Sequence, residues 1–143
     1  MKILTGHDQE VAAWASNLLG KPIIQPFSAV GVLNSDNTLC GAAIFNDYQG
    51  PGGNIEFTYF GPQTLTRSIV KWLATYAFVT NSVSRVTFKT HRSNHLVRKL
   101  LTKHGMAFEG TLKRYYSTAK SGDALVFMLD RRNAALWLRG IWK

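Results

Sequence analysis

A length of 143 residues with 45% hydrophobic and 12% aromatic content suffices for one buried core, and predicts a single domain over residues 1–143. The net charge of +9 is uneven: residues 1–50 carry two lysines against four acids, and residues 51–143 carry 15 Lys and Arg against four acids, so −2 faces +11 and the C-terminal two-thirds should attract a polyanion, whether nucleic acid, a membrane surface or a phosphate-rich cofactor. The longest apolar stretch, residues 124–129, falls far short of the ~20 residues of a membrane span, and the N-terminus turns polar too soon for a secretory signal, so a cytoplasmic protein is expected.

Val11, Trp14, Ala15, Leu18 and Leu19 recur at helical spacing after the acidic opening Asp8 to Glu10, and Gly20 stands where a C-terminal cap is expected, which predicts a first amphipathic helix. Phe27 to Leu33 and Thr38 to Phe45 flank Asn34-Ser35-Asp36-Asn37, residues tolerant of turn conformations, and read as an antiparallel hairpin. Cys40, the sole cysteine, excludes an intrachain disulfide or a cysteine-based zinc cluster, and its neighbours Leu39 and Ala42 predict a buried thiol. After a loop over 47–54, Ile55 to Phe60 reads as a strand with Ile55, Phe57 and Tyr59 on one face and Glu56, Thr58 and Phe60 on the other. Thr64 to Phe78 switches to helical period, with Leu65, Ile69, Trp72, Leu73 and Tyr76 on one face. Val83 to Thr90 alternates again, Val86 and Phe88 against Arg85, Thr87 and Lys89.

A short helix is predicted from Ser93 or Asn94 to His104, with Leu96, Val97, Leu100 and Leu101 as its buried stripe and Gly105 at a left-handed cap. Phe108 to Tyr116 and Ala124 to Asp130 read as strands joined by a polar loop, and Arg132 to Leu138 as a helix ending near Gly140. Together these elements predict an α/β fold of the α+β kind, a mixed sheet flanked by helices.

Asn94 to Gly110 reads N-H-L-V-R-K-L-L-T-K-H-G-M-A-F-E-G. This resembles the end of the GNAT acetyltransferase domain, where an asparagine precedes an amphipathic helix, a glycine follows eleven residues later and the next strand opens with a phrase like G-F-x-x-E-G; here Met106 replaces the usual Phe. Tyr76-Ala77-Phe78, Arg114-Tyr115-Tyr116, the run Gly122 to Val126 and Trp137-Leu138 resemble GNAT-fold proteins encoded by phages and prophages, an origin that implies the host cytoplasm. The resemblance spans about residues 27–138 and is strongest over 64–116. It implies a GNAT-like acyl-CoA N-acyltransferase fold, monomeric or homodimeric, and an enzyme that moves an acetyl group from acetyl-CoA to a primary amine by direct attack in a ternary complex, with no metal. The acceptor, whether a protein, a small molecule or a nucleobase, is left open.

The family's pyrophosphate loop, Q/R-x-x-G-x-G/A, falls on Gln63-Thr64-Leu65-Thr66-Arg67-Ser68, which has no glycine. The donors such a loop needs are backbone N–H groups at a helix N-terminus, which glycines do not themselves supply; Thr66 and Ser68 are small, and Arg67 offers a paired N–H fork. The resemblance accordingly assigns cofactor binding to Tyr59, Phe60, Gln63, Leu65, Thr66, Arg67 and Ser68, with Asn94 and Arg98; the alternatives are that Thr64 caps a helix, that Arg67 is a solvated helix residue, and that Asn94 is itself a cap.

Only Glu10, Glu56 and Glu109 are glutamates. Glu56, on the strand leading into the cofactor loop, is the expected general base, its alternative being a solvated strand carboxylate; Glu109 is expected to be structural. The tyrosine that protonates the leaving thiolate in much of the family is replaced by Leu101, which leaves Tyr115, or Tyr116 beside it, as the candidate acid, or departure of the thiolate unaided. His91 and His95 have the spacing of a helical metal pair, but Arg92 occupies the place of the zinc-protease glutamate and no third ligand is apparent, so no metal is expected. The competing function is a catalytically inactive GNAT-fold binding module whose basic surface holds nucleic acid or a protein partner.

Overall fold

The computed structural model describes residues 1–139. In chain order its elements are β1 (Lys2–Leu4), α1 (Asp8–Leu19), β2 (Phe27–Leu33), β3 (Leu39–Asn46), β4 (Asn54–Phe60), α2 (Arg67–Thr75), β5 (Arg85–His91), α3 (His95–Lys103), β6 (Ala107–Leu112), β7 (Ala124–Asp130) and α4 (Ala135–Leu138). The strands form one mixed sheet in the order β1-β2-β3-β4-β5-β7-β6. β4 and β5 run parallel, and the other neighbouring strands are antiparallel.

Alternation along the strands divides the core between two faces. On one, α1 lays Val11, Ala12 and Ala15 against Ala29, Ala42 and Ile44, a cluster in which four of the six side chains are alanine. The other holds the larger core, in which Val30, Phe45, Phe57, Val86, Phe88 and Phe127 from the strands meet Ile69, Leu73 and Phe78, with Val97 and Trp137 packed against them. A bond from Trp137 Nε1 to the His104 carbonyl, 2.8 Å, ties α4 to the end of α3.

The hairpin turn is built as its residues predict: Asn34 Oδ1 accepts from the N–H groups of Asp36 and Thr38 at 2.9 and 3.1 Å, and Asn37 takes the left-handed conformation. Gly20 ends α1 in the same conformation, its N–H on the Ser16 carbonyl.

Six expectations are corrected. β1 adds a short strand before α1, too brief to show a period. The helix expected over 64–78 is a 3-10 turn at Pro62–Thr64, then α2, then a π-helical turn at Tyr76–Thr80; its apolar period persists while the backbone bonds widen. α3 buries Leu101 and half-buries Val97 and Leu100, but Leu96 is 74% exposed, so the buried stripe is narrower than the apolar one. β6 stops at Leu112, so Tyr115 and Tyr116 lie beyond the strand. Cys40 is half-buried, its thiol directed at the Val32 carbonyl at 3.4 Å. The last helix is a single turn from Ala135, and its expected end near Gly140 lies outside the described residues.

Phe78 is 1% exposed within the π-helical turn. Phe78→Ala should remove about 3–5 kcal/mol of unfolding free energy in a denaturant titration, as large aromatic truncations in packed cores do.

Candidate active site

The pairing of β4 with β5 is brief: Asn54, Ile55 and Glu56 lie opposite Arg85, Val86 and Thr87, and no rung follows. Both strands continue for four residues, Phe57 to Phe60 and Phe88 to His91, held by their outer neighbours β3 and β7. A wedge therefore opens inside the sheet from the Glu56–Thr87 rung onward. On the α2 side the first side chains past the last rung are Phe57 and Phe88, rings 5.6 Å apart. An apolar cavity of about 60 Å³ lies on that side, with Phe57, Tyr59, Leu65, Phe88, Val97 and Leu100 among its lining.

The opposite face of the wedge is polar. Below the opening, Arg85 grips Glu109 through two nitrogens at 2.5 and 3.0 Å and reaches Thr87 Oγ1, which in turn bonds Asn54. Glu109 is thereby structural, and the guanidinium holds its carboxyl below the ordinary carboxylate range. At the crotch, Lys89 Nζ lies 2.7 Å from Glu56 Oε1, the two side chains only 22% and 15% exposed. Tyr115 completes the row, its hydroxyl 3.3 Å from the same Nζ and its ring centroid at 5.0 Å. Burial works against the charge on Lys89, but the bonds and charges of Glu56 and Tyr115 outweigh it and raise its pKa. Next along, the Tyr116 ring stacks on His91 at 3.8 Å, with Lys21 Nζ 5.7 Å from its centroid.

Tyr115 and Tyr116 reach this place because the chain reverses after β6. Arg114 is left-handed, φ 56°, and its N–H donates to Asp123 Oδ1 at 2.8 Å, while Asp123 Oδ2 meets Arg92 at 3.3 Å. The Tyr116 N–H donates to the Gly122 carbonyl, and a Cβ at Gly122 would stand 2.1 Å from Ser117 Oγ.

At the far end of β4 the chain turns through Gly61, φ 88°, where a Cβ would lie 2.6 Å from the Cys40 carbonyl oxygen. Gly41 on β3 leaves room beside it for the bonded pair Tyr59 OH and Thr64 Oγ1; Thr64 also donates to the Gly61 carbonyl at 2.7 Å. This joint sets the 3-10 turn and the start of α2. Thr66 caps α2, accepting from the Ile69 N–H at 3.4 Å, and lies 3.2 Å from Ser68 Oγ. As first-turn residues, Arg67 and Ser68 present N–H groups with no acceptor inside the helix. Gln63, Thr66, Arg67 and Ser68 are exposed around them, and Arg67 meets no carboxylate among the described residues. The residues thus fit an anionic pyrophosphate without loop glycines.

The structure gathers Glu56 and Tyr115, and separately Tyr59 and Leu65 with the first turn of α2. Phe60 turns instead to the α1 side, and Asn94 Oδ1 accepts from the Val97 N–H at 3.3 Å as a helix cap. Arg98 faces a groove between α3 and β6, and Leu101 is buried core. His91 and His95 do not converge: one stacks on Tyr116, the other lies beside Arg98. Among the described residues no cluster of three or more potential metal ligands occurs, and no helix is long and apolar enough to cross a membrane. Lys89 and Gly61 are site residues that sequence reasoning missed. Alternation already placed Lys89 on the face of Arg85 and Thr87, but its meeting with Glu56 depends on the register between two parallel strands.

No protein-family model matches the sequence, and no curated protein matches it either. Solved structures do match. A dodecameric spermidine N-acetyltransferase from Vibrio cholerae superposes with a TM-score of 0.75 at 12% identity, covering 94% of this chain and 95% of that one. A chimera of the Vibrio cholerae spermidine N-acetyltransferase SpeG with hSSAT gives 0.72 at 12% identity over 92% and 98%. A GCN5-related N-acetyltransferase from Brucella melitensis gives 0.65 at 16% identity over 79% and 55%. The fold is that of the GNAT acetyltransferases. At these identities the likeness is one of architecture, and the chemistry rests on this chain's own residues.

Burial, with the nearby Tyr115 and Glu56, pushes the Tyr116 phenol up to about 12 despite the opposing charge of Lys89. A phenol whose folded pKa exceeds its ordinary value of about 10 stabilises the fold below that value and loses the contribution as pH rises towards 12. Ultraviolet titration should therefore show one tyrosine ionising last, and Tyr116→Phe should remove that step.

Proposed function

We propose that the protein transfers an acetyl group from acetyl-CoA to a primary amine. The observation that carries the reading is the wedge between β4 and β5, which opens both onto the apolar cavity on one face and onto Glu56, Lys89 and Tyr115 on the other. Backbone N–H groups at the start of α2, the Arg67 guanidinium and the hydroxyls of Thr66 and Ser68 hold the pyrophosphate of the donor, with Gln63 beside them. Phe57, Tyr59 and Leu65 offer apolar contact to its arm. The amine enters from the polar face, where it is held next to the thioester; proximity supplies most of the acceleration. Its nitrogen bonds to the acetyl carbon as the carbon–sulfur bond breaks, Glu56 takes the ammonium proton directly or through water, and Tyr115 or solvent returns a proton to the departing thiolate.

Two features favour the rival, a binding module without chemistry: core Leu101 where the family's tyrosine would stand, and Lys89 already engaging Glu56. The two readings separate on turnover, since such a module, holding nucleic acid or a protein partner, releases no CoA from acetyl-CoA.

Isothermal calorimetry tests the donor site: CoA should bind in preference to ADP, and Arg67→Ala should weaken it by roughly 1.5–3 kcal/mol, the worth of a charged hydrogen bond, with the melting temperature unchanged. Unaltered affinity would return Arg67 to the solvated helix face. Turnover tests the base. With the best acceptor from a panel of amines, peptides and nucleic acids screened by CoA release, Glu56→Gln should lower the rate about 10²- to 10⁴-fold while CoA affinity persists, and the deficit should shrink at high pH, where the amine is already neutral. Full activity across pH would leave the proton to water.

A further inference from the structure

On the side of α3 away from α2, a groove of about 750 Å³ runs between that helix and β6. Its basic lining is Arg92, His95, Arg98, Lys99 and Lys103, and no carboxylate lines it. His95, Lys99 and Lys103 recur every four residues, so their Cα atoms climb α3 in steps of about 6 Å, a ladder of basic groups along one wall. Among the described residues Arg92 is the only one of the five that forms an ion pair, with Asp123, and Lys99 and Lys103 are exposed. An aromatic ring belongs to the other wall: Phe108, on the edge strand of the sheet, is 57% exposed, and Phe127 contacts it edge-on at 5.6 Å. One edge of the ring covers Phe127 of the core, and more than half of its surface stays open within a concave basic wall.

We propose that this groove binds single-stranded nucleic acid, with the phosphates along Arg98, Lys99 and Lys103 and a base stacked on Phe108. A row of cations answers a row of phosphates, and the aromatic answers a base freed from its stack, which a duplex does not offer. An acidic peptide would satisfy the cations and leave Phe108 without a partner. The groove is separate from the wedge, so the proposal stands whether or not acetyl transfer is the reaction.

Fluorescence anisotropy of the full chain with a labelled oligothymidylate of about 12 nucleotides tests it. Three phosphate contacts predict that log K falls against log salt with a slope of about −2. Lys99→Glu and Lys103→Glu should each weaken binding about tenfold or more and flatten that slope. Lys71→Glu, the same charge change on an exposed residue of α2, should cost less than about twofold. Phe108→Ala and the more conservative Phe108→Leu should each cost about fivefold or more with the slope unchanged, and both should melt near the parent temperature. The proposal is overturned if the parent does not bind, if Lys71→Glu costs as much as Lys99→Glu, or if neither Phe108 variant weakens binding. Duplex DNA binding as tightly as the single strand would overturn it too, as would displacement by polyglutamate at equal charge concentration.

Discussion

The brevity of one parallel ladder governs the site. Three rungs join β4 to β5, and beyond Glu56 and Thr87 each strand is held only by its outer neighbour. Between two strands of one sheet this leaves backbone N–H and C=O groups facing each other across a gap, and unpaired backbone is costly unless solvent or a ligand satisfies it. The same parting brings the two faces of the sheet into contact at a single place, apolar towards α2 and charged towards α1. A reaction that must join an activated thioester to an amine has use for such a place, because each partner can approach from its own side.

Polar ties fix what surrounds the gap. Below it, Asn54, Thr87, Arg85 and Glu109 link β4, β5 and β6 across the sheet. At its crotch, Glu56 and Lys89 stand on the two strands that separate, with Tyr115 above them. Asp123 sets Tyr115 and Tyr116 in place by capturing the Arg114 N–H and Arg92 together, and these bonds hold its carboxyl below the ordinary range. The charged groups of the site are therefore positioned by other charged groups more than by packing.

Local pattern made much of this legible and long-range register the rest invisible. Alternation put Glu56 with Thr58 and Lys89 with Thr87 on definite faces, and the helix signals at Asn94 and Gly105 bracketed α3. The Glu56–Lys89 pair was hidden because nothing within either strand states how the two align. Tyr115 and Tyr116 looked like a continuing strand because a left-handed non-glycine residue, Arg114, leaves no compositional mark. The stretch Gln63 to Ser68, which resembles the family's pyrophosphate loop, carries no glycine, and the tight turn is made just before it, at Gly61 against Cys40 and beside Gly41 on the neighbouring strand. Leu96 misled for a different reason: helical period reports that a face is apolar, not that anything covers it.

Sheet order nearly follows chain order, so the charge split along the sequence becomes a split across the molecule: β1, β2 and β3 belong to the slightly acidic part of the chain, and β4 to β7 to the basic part. The protein is in consequence an electric dipole lying across its strands. In the field of a polyanion it experiences a torque as well as an attraction, and it arrives with the β6 edge leading and α1 trailing. Screening limits that alignment to the last stretch of the approach, about 8 Å at physiological ionic strength. Two copies meeting in solution are subject to the same torque, and it favours the basic edge of one turning towards the acidic end of the other.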